Sequence, residues 1–222
     1  ISSLTEEGAE ITIKALESGA VDFIPKKIDL SSTEIIKIKT SLLSKIKDIV
    51  RNSRKAPSSA SSSSQIDSLI RRIGTIKEEK KIAPVKETSY GKTTHTYKIL
   101  GIGSSTGGPM ALQNVIPFLP ENFPLPIVIA QHMPPMFTKS LAKRLHELSN
   151  ITVVEMEDRM PLEAGTAYIG QGGKHFHIKS TREENFLKLE GDMKDYLYKP
   201  SVDFLFSSLA EVYRNKVIGV LL

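Results

Sequence analysis

Residues 97–119 read YKILGIGSSTGGPMALQNVIPFL, and this stretch gives the clearest indication of the fold of the second half of the chain. A short apolar run ends at a glycine-rich turn, and an amphipathic segment with Pro109 at its start follows at once. Glycine allows a backbone turn that a Cβ would obstruct, and proline is favoured at the first position of a helix. The stretch therefore predicts a strand, a sharp turn and a helix, with Ser105 at the apex of the turn.

The same alternation of strand and helix patterns continues to the end of the chain. Strands are predicted at 97–102, 127–130, 151–155, 167–169 and 217–222, helices at 109–118, 136–148 and 202–213, and hairpins between 175 and 198. Apolar strands that alternate with helices are typical of a parallel sheet covered on both faces. We therefore predict an α/β fold whose doubly wound, mainly parallel sheet occupies residues 96–222, with function at the C-terminal ends of the strands.

Two further segments precede this sheet. Residues 1–53 carry a helix pattern at 5–18, a short strand pattern at 21–24, and a longer helix that Ser31 opens with capping-box spacing. This order is expected for the tail of an α/β unit rather than for a complete domain. Residues 54–95 are rich in serine and charge and have little to bury, so we predict an interdomain linker there.

Composition excludes several classes of protein. The chain has 222 residues, no cysteine and a net charge of +5, so disulfides and thiolate metal sites are excluded. Much of the positive excess lies in residues 37–55 and 71–86 without interleaved aromatic residues, which favours solvated surfaces over a nucleic-acid site. No run is long enough for a transmembrane helix and no signal peptide is visible, so we expect a cytoplasmic protein without membrane insertion.

A histidine follows the next predicted strand. If the strands 97–102 and 127–130 are neighbours in a parallel sheet, their C-terminal ends share one edge. Ser105 and His132 then lie on adjacent loops, where an imidazole can come within about 3 Å of a serine hydroxyl and take its proton. We therefore predict Ser105 as a nucleophile and His132 as its base.

The glycine-rich turn also offers backbone donors. The start of a helix presents free N–H groups, which suit an oxyanion or a phosphate. In the serine interpretation, these donors help to hold the oxyanion and belong to Thr106, Gly107 and Gly108.

A phosphate-binding turn is the alternative. The spacing from Gly103 to Gly108 fits a Walker pattern, but Pro109 stands where lysine is required. The dinucleotide fingerprint fails as well, because Thr106 occupies the position of its third glycine. The residues alone leave a serine nucleophile and a phosphate or nucleotide site as open alternatives.

A third catalytic group, usually a carboxylate that orients the imidazole, has no clear candidate in the chain. Asp158 is interpreted as a loop acid, and Asp203 as an acid in the first turn of a helix, where the dipole favours it. The natural place for the orienting acid is the loop after Leu222. Because the chain begins at Ile1 and its last strand pattern stops with nothing after it, we expect a fragment truncated at both ends.

Two histidines in the predicted hairpin, His175 and His177, share one face of a strand, an arrangement that metal ligands also use. No third ligand is evident, so we interpret them as exposed hairpin histidines and predict no metal site.

The motifs IGSSTGGP (102–109) and QHMPP (131–135) closely resemble the catalytic domain of the chemotaxis protein-glutamate methylesterases, the CheB family. The resemblance extends through AYIGQGGKH and KPSVDFLFSSLA to the C-terminal VIGVLL. Residues 1–27 are similar to the last third of the response-regulator receiver domain that precedes the catalytic domain in this family.

The resemblance implies a Ser-His-Asp esterase that hydrolyses glutamate methyl esters on chemoreceptors and deamidates certain receptor glutamines. Ser105 matches the family nucleophile and His132 the family histidine. The family aspartate lies in a T-G-M-G-x-D-G motif directly after the strand that matches residues 217–222. It is therefore expected beyond Leu222, and the esterase chemistry is expected to need no metal or organic cofactor.

In the receiver portion, Ser2 matches the switch hydroxyl of the family and Lys26 its lysine. Lys27 replaces the usual proline, and the phosphoacceptor aspartate is expected upstream of Ile1. The resemblance implies a chemotaxis histidine kinase as phosphodonor, and Mg²⁺ for phosphorylation of the complete receiver. A fragment that acts only as a receptor- or kinase-binding signalling module is the further alternative, because the orienting acid is not in the chain.

Overall fold

The computed structural model describes residues 2–3, 6–26, 32–54, 97–191, 193, 196 and 198–222. Residues 1–49 and 95–222 form one compact unit, and residues 50–94 form a second, of which 50–54 are described. Apart from Arg54, the predicted linker lies outside the described residues. The capping role predicted for Ser31 lies outside them as well.

A five-stranded parallel sheet organises the larger unit. Its strands are β3 (Ile99–Ser104), β4 (Ile127–Gln131), β5 (Thr152–Glu155), β6 (Thr166–Ile169) and β9 (Val217–Leu221). Their order is β5-β6-β4-β3-β9, with β3 and β4 hydrogen-bonded side by side at the centre. The predicted α/β fold with a mainly parallel sheet is confirmed, and each predicted strand over 97–222 is present within two residues of its expected bounds.

Helices cover both faces of the sheet, as the alternation of buried side chains along its strands requires. One face packs against α3 (Gly108–Gln113) and α4 (Pro135–Leu148). The other packs against α5 (Val202–Tyr213) and an antiparallel hairpin of β7 (His175–Ser180) and β8 (Asn185–Glu190). In β4, for example, Ile127 and Ile129 face the first layer, while Val128 and Ala130 face the second.

The helix predicted at 109–118 is shorter than expected. The α-helix α3 ends at Gln113, and a separate 3-10 turn runs from Ile116 to Phe118. Pro117 explains the difference, because proline has no N–H to donate and clashes with the preceding turn inside an α-helix.

The N-terminal part contributes α1 (Glu6–Glu17), α2 (Ser32–Arg54) and two short parallel strands, β1 (Ser2–Ser3) and β2 (Pro25–Lys26). Gly19, at φ +106°, ends α1 as predicted.

The strand predicted at 21–24 is wrong, since the strand begins at Pro25. The carboxylate of Asp22 accepts the N–H of Phe23 at 2.7 Å, so a side chain and not a ladder partner satisfies this amide.

No helix among the described residues is long and apolar enough to cross a membrane.

Candidate active site

The central strands β3 and β4 end in register, and this alignment places the two predicted catalytic residues. Ser104 and Gln131 are the last paired residues of the two strands. The N–H of His132 donates to the carbonyl of Ser104 at 3.0 Å, which extends the ladder by one bond. Ser105 and His132 therefore leave the sheet side by side at its C-terminal edge.

The structure brings the Ser105 hydroxyl and the His132 imidazole into contact. Nδ1 of His132 lies 3.2 Å from Oγ of Ser105. Ser105 is exposed and His132 is half-buried. A neutral imidazole at this distance can accept the hydroxyl proton, which is the geometry of a serine nucleophile with its general base.

The surroundings of His132 keep the imidazole neutral. Burial lowers the pKa of His132 below its ordinary 6.5; the Asp203 carboxylate acts to raise this pKa, and the Lys45 cation acts to lower it. The ring of Tyr198 stacks on the imidazole, with centroids 4.8 Å apart and planes inclined by 22°. A base with a lowered pKa is unprotonated near neutral pH and so is ready to accept a proton.

The turn after Ser105 holds fewer free donors than the sequence predicts. Gly107 has a φ of +80°, which glycine adopts without strain. The N–H of Gly108 donates to the carbonyl of Ser105 at 2.9 Å, so it is engaged within the turn. Of the three predicted oxyanion donors, Gly108 is therefore excluded, and the N–H groups of Thr106 and Gly107 remain as candidates.

Sequence reasoning assigned no role to Gln131, the residue before the histidine. Its side chain is buried and forms three hydrogen bonds, to the hydroxyl of Ser104 and to the carbonyls of Ser105 and His132. The only local signal for it was a polar residue at the end of a strand whose other members are apolar.

The loop after His132 rests on a glycine turn at residues 170–173. A Cβ at Gly172 would lie 2.4–2.6 Å from the backbone of residues 133–135, so only glycine allows this approach. The N–H of Gly173 donates to the carbonyl of Lys199 at 3.3 Å and thus also holds the loop that carries Tyr198. The glycine turn therefore supports both sides of the imidazole.

Other predicted residues lie elsewhere. Asp158 accepts hydrogen bonds from the ammonium of Lys188 and the N–H of Leu189 in the hairpin, and these contacts hold its pKa below the ordinary range. Asp158 therefore fastens the hairpin to its neighbouring loop, in agreement with its interpretation as a loop acid. Ser2 and Lys26 lie on the neighbouring strands β1 and β2.

The hairpin histidines differ from expectation. His175 is fully buried and lies against Tyr196 and Phe204, so its predicted exposure is wrong. The apolar layer between the hairpin and α5 encloses this position. His177 lies 3.1 Å from the carboxylate of Glu190. Within the described ranges, no group of three or more histidine, aspartate or glutamate side chains could hold a metal ion.

The helix α1 packs on α4, which begins three residues after His132. Ile13 and Leu16 of α1 belong to the same apolar cluster as Leu141 of α4. Two ion pairs border this contact, Glu10 with Lys143 at 3.0 Å and Glu17 with Arg144. The ring centroids of Phe23, which follows α1, and of Phe137 in α4 are 4.4 Å apart.

Comparison with known proteins gives one consistent result. Residues 100–222 match the family model described as CheB methylesterase. A protein-glutamate methylesterase/protein-glutamine glutaminase of Thermotoga maritima is 40% identical over 222 residues, covering all of this chain and 58% of the relative. A protein of the same description from Idiomarina loihiensis is 38% identical over 240 residues, covering all of this chain and 62% of the relative. The chain thus spans about three fifths of the length of these curated relatives.

A solved structure shares the fold. The crystal structure of the Thermotoga maritima CheB methylesterase catalytic domain superposes with a TM-score of 0.54 at 47% sequence identity. The superposition covers 56% of this chain and 66% of that domain.

Proposed function

This chain belongs to the CheB methylesterase family, and we propose that it hydrolyses glutamate methyl esters on chemoreceptors and deamidates specific receptor glutamines. The observation that carries the proposal is the contact of 3.2 Å between the His132 imidazole and the Ser105 hydroxyl at the C-terminal edge of the sheet. Both activities are part of the names of the relatives, protein-glutamate methylesterase/protein-glutamine glutaminase.

The proposed reaction has two halves. His132 takes the proton of Ser105 as the serine oxygen attacks the side-chain carbonyl of the methyl ester, and the N–H groups of Thr106 and Gly107 hold the resulting oxyanion. The protonated imidazole returns the proton to the leaving methanol, or to ammonia when the substrate is a glutamine. Water, activated by His132, then releases the glutamate and regenerates Ser105.

The third triad member is the aspartate expected beyond Leu222. The strand β9 lies beside β3 and ends at the same edge of the sheet as Ser105, so the loop after β9 is the proposed source of this carboxylate. A carboxylate there would accept the Nε2 proton of the imidazole, which leaves Nδ1 free to face Ser105. Serine, histidine and backbone donors supply the nucleophile, the base and the electrophile for this chemistry, so the proposed mechanism uses no metal or organic cofactor.

Residues 1–53 act in this proposal as the tail of a receiver domain that restrains the catalytic centre. Two observations support it: α1 packs on α4, and Lys45 of α2 is within electrostatic reach of His132. Phosphorylation by a histidine kinase would shift this contact, with Ser2 and Lys26 as switch residues on adjacent strands. A cytoplasmic location follows from such partners.

A serine-directed fluorophosphonate tests the chemistry on the full-length protein. We expect the wild type to be labelled, and Ser105→Ala to lose both labelling and methanol release. In His132→Ala the rate of methanol release should fall at least about 10³-fold. Ser180→Ala, an exposed serine at the end of β7, is the matched control and should react like the wild type. Methanol release that survives Ser105→Ala would refute the assignment. Binding of receptors without labelling would instead favour a signalling module, and nucleotide binding a phosphate site.

A further inference from the structure

The side chain of Gln131 is joined to both catalytic loops. It is 1% exposed, and its amide nitrogen donates to the carbonyls of Ser105 at 3.0 Å and His132 at 3.1 Å. Its oxygen accepts the hydroxyl of Ser104 at 2.6 Å. Both amide hydrogens and one oxygen lone pair are therefore used, and every partner belongs to the residue that ends β3 or to a catalytic residue.

The bond to Ser105 has a consequence for the oxyanion site. The carbonyl of Ser105 and the N–H of Thr106 belong to one planar peptide group and point in opposite directions, so a donor that fixes the carbonyl also fixes the N–H. Two donors reach this oxygen, Nε2 of Gln131 and the N–H of Gly108. Hydrogen bonds in such a chain polarise one another, which makes the Thr106 N–H a stronger donor.

We propose that Gln131 is the positioning residue for the Thr106 N–H in the oxyanion site, an inference that rests on the proposed esterase function. The hydrogen bond to the His132 carbonyl adds a second constraint, because the same amide group fixes the spacing between the nucleophile loop and the base loop. Oxyanion donors must lie within a few tenths of an ångström of their best position to stabilise the transition state fully.

The start of α3 is shaped around this side chain. A Cβ at Gly108 would lie 2.0 Å from Oε1 of Gln131 and 2.9 Å from Cβ of Ser104. The carboxamide thus occupies space that any other residue at position 108 would fill. Gly108 has two roles in the arrangement, as a donor to the Ser105 carbonyl and as the gap that admits Gln131.

Gln131→Glu is the sharpest test, because an ionised carboxylate keeps the size of the amide but cannot donate to the two carbonyls. In the full-length protein we expect kcat for methyl-ester hydrolysis to fall about 100-fold with KM within about twofold, and labelling of Ser105 by a fluorophosphonate to slow in parallel. A buried carboxyl that faces carbonyl oxygens has a raised pKa and regains one donor when protonated. The ratio of variant to wild-type rate should therefore rise as the pH is lowered from about 8 to about 6.

Three further variants separate a positioning role of Gln131 from a role in folding. Gln131→Met leaves a side chain without a donor at any pH, so the ratio of the variant rate to the wild-type rate should stay low and should not change with pH. Asn185→Asp makes the same change from amide to carboxylate in the hairpin, where the amide donates to the Tyr213 hydroxyl at 3.2 Å, and its rate should stay within about twofold of the wild type. Ser104→Ala removes only the hydroxyl that anchors the carboxamide oxygen, so it provides the test of the proposal if the Gln131 variants do not fold. We expect it to slow labelling about threefold or more.

The inference is overturned if Gln131→Glu or Gln131→Met is labelled at more than half the wild-type rate, if the two variants share the same flat pH ratio, or if Ser104→Ala is labelled like the wild type. Its failure differs from failure of the proposed function. The proposed function fails in the wild type, which would release no methanol from methylated receptors. The Gln131 comparison rests on labelling rates that need no receptor.

Discussion

The imidazole of His132 receives opposing electrostatic effects from two residues that can be changed separately. Lys45→Gln removes a cation that lowers its pKa, so we expect the pKa of His132 to rise; Asp203→Asn removes a carboxylate that raises it, so we expect the pKa to fall. An NMR titration of the His132 ring resonances measures both shifts. Lys47→Gln, an exposed position on the same helix, is the control. If the pKa of His132 is the same in Lys45→Gln as in the wild type, α2 lies farther from the site in solution.

The lowered pKa of His132 also makes stability depend on pH. The unfolded chain titrates near 6.5 and the folded chain below it, so between these two values the unfolded state binds more protons. The contribution of His132 to the free energy of unfolding is therefore complete above about pH 7 and declines as the pH falls through this window. Urea denaturation at several pH values should show wild type losing stability relative to His132→Gln below about pH 6.5. A stability difference that is constant from about pH 8 to about pH 5 would contradict the shift.

The glycine turn at 170–173 fixes the loop that carries the base. Gly172→Ala places a Cβ 2.4 Å from the carbonyl of Met133, and backbone atoms cannot yield as a flexible side chain can. We expect a loss of about 1–3 kcal/mol in the free energy of unfolding, as for other overpacked sites, and a lower kcat because the loop after His132 must move. Gly191→Ala is the matched control, since nothing lies within 4 Å of its Cβ. Equal stability of the two variants, measured by urea denaturation, would argue against the close packing of the turn.

Local pattern predicted the elements that local forces determine. The apolar runs of β3 and β4 and the glycine-rich turn between β3 and α3 were enough to predict the sheet and to propose the pairing of Ser105 with His132. Pro117 and Asp22 explain the two errors at element ends, because one residue lacks a donor and the other supplies an acceptor to a neighbouring amide.

The contacts that position the catalytic residues come from distant parts of the chain, and no local sequence pattern predicts them. Tyr198 reaches His132 across 66 positions of sequence, and its stacking depends on how the loop before α5 is held by Gly173. The role of Gln131 depends on the register of β3 against β4, which a one-residue slip would abolish. The sequence shows that Tyr198 and Gln131 are present, but it does not predict their contacts with the catalytic residues.

The packing of α1 on α4 couples the N-terminal segment to the catalytic layer. The contact combines buried side chains, such as Ile13 in the same cluster as Leu141, with two ion pairs at its border, of which Glu10–Lys143 is exposed and Glu17–Arg144 is partly buried. Solvent screens ion pairs at such a border and makes them weak, so the apolar contact supplies the affinity and the charges select the orientation. Weakening the charges should thus loosen the contact without unfolding either part.

Reversing the charges on α4 tests whether this contact restrains the enzyme. Lys143→Glu with Arg144→Glu places like charges opposite Glu10 and Glu17, and we expect the methylesterase activity of the unphosphorylated full-length protein to rise about fivefold, because repulsion replaces attraction at the border of the contact. Adding Glu10→Lys and Glu17→Lys restores opposite charges and should return the activity to the wild-type level. Hydrogen exchange of α1 reports whether the contact has loosened. Faster exchange in α1 with unchanged activity would show that the N-terminal segment packs on the catalytic layer without restraining it.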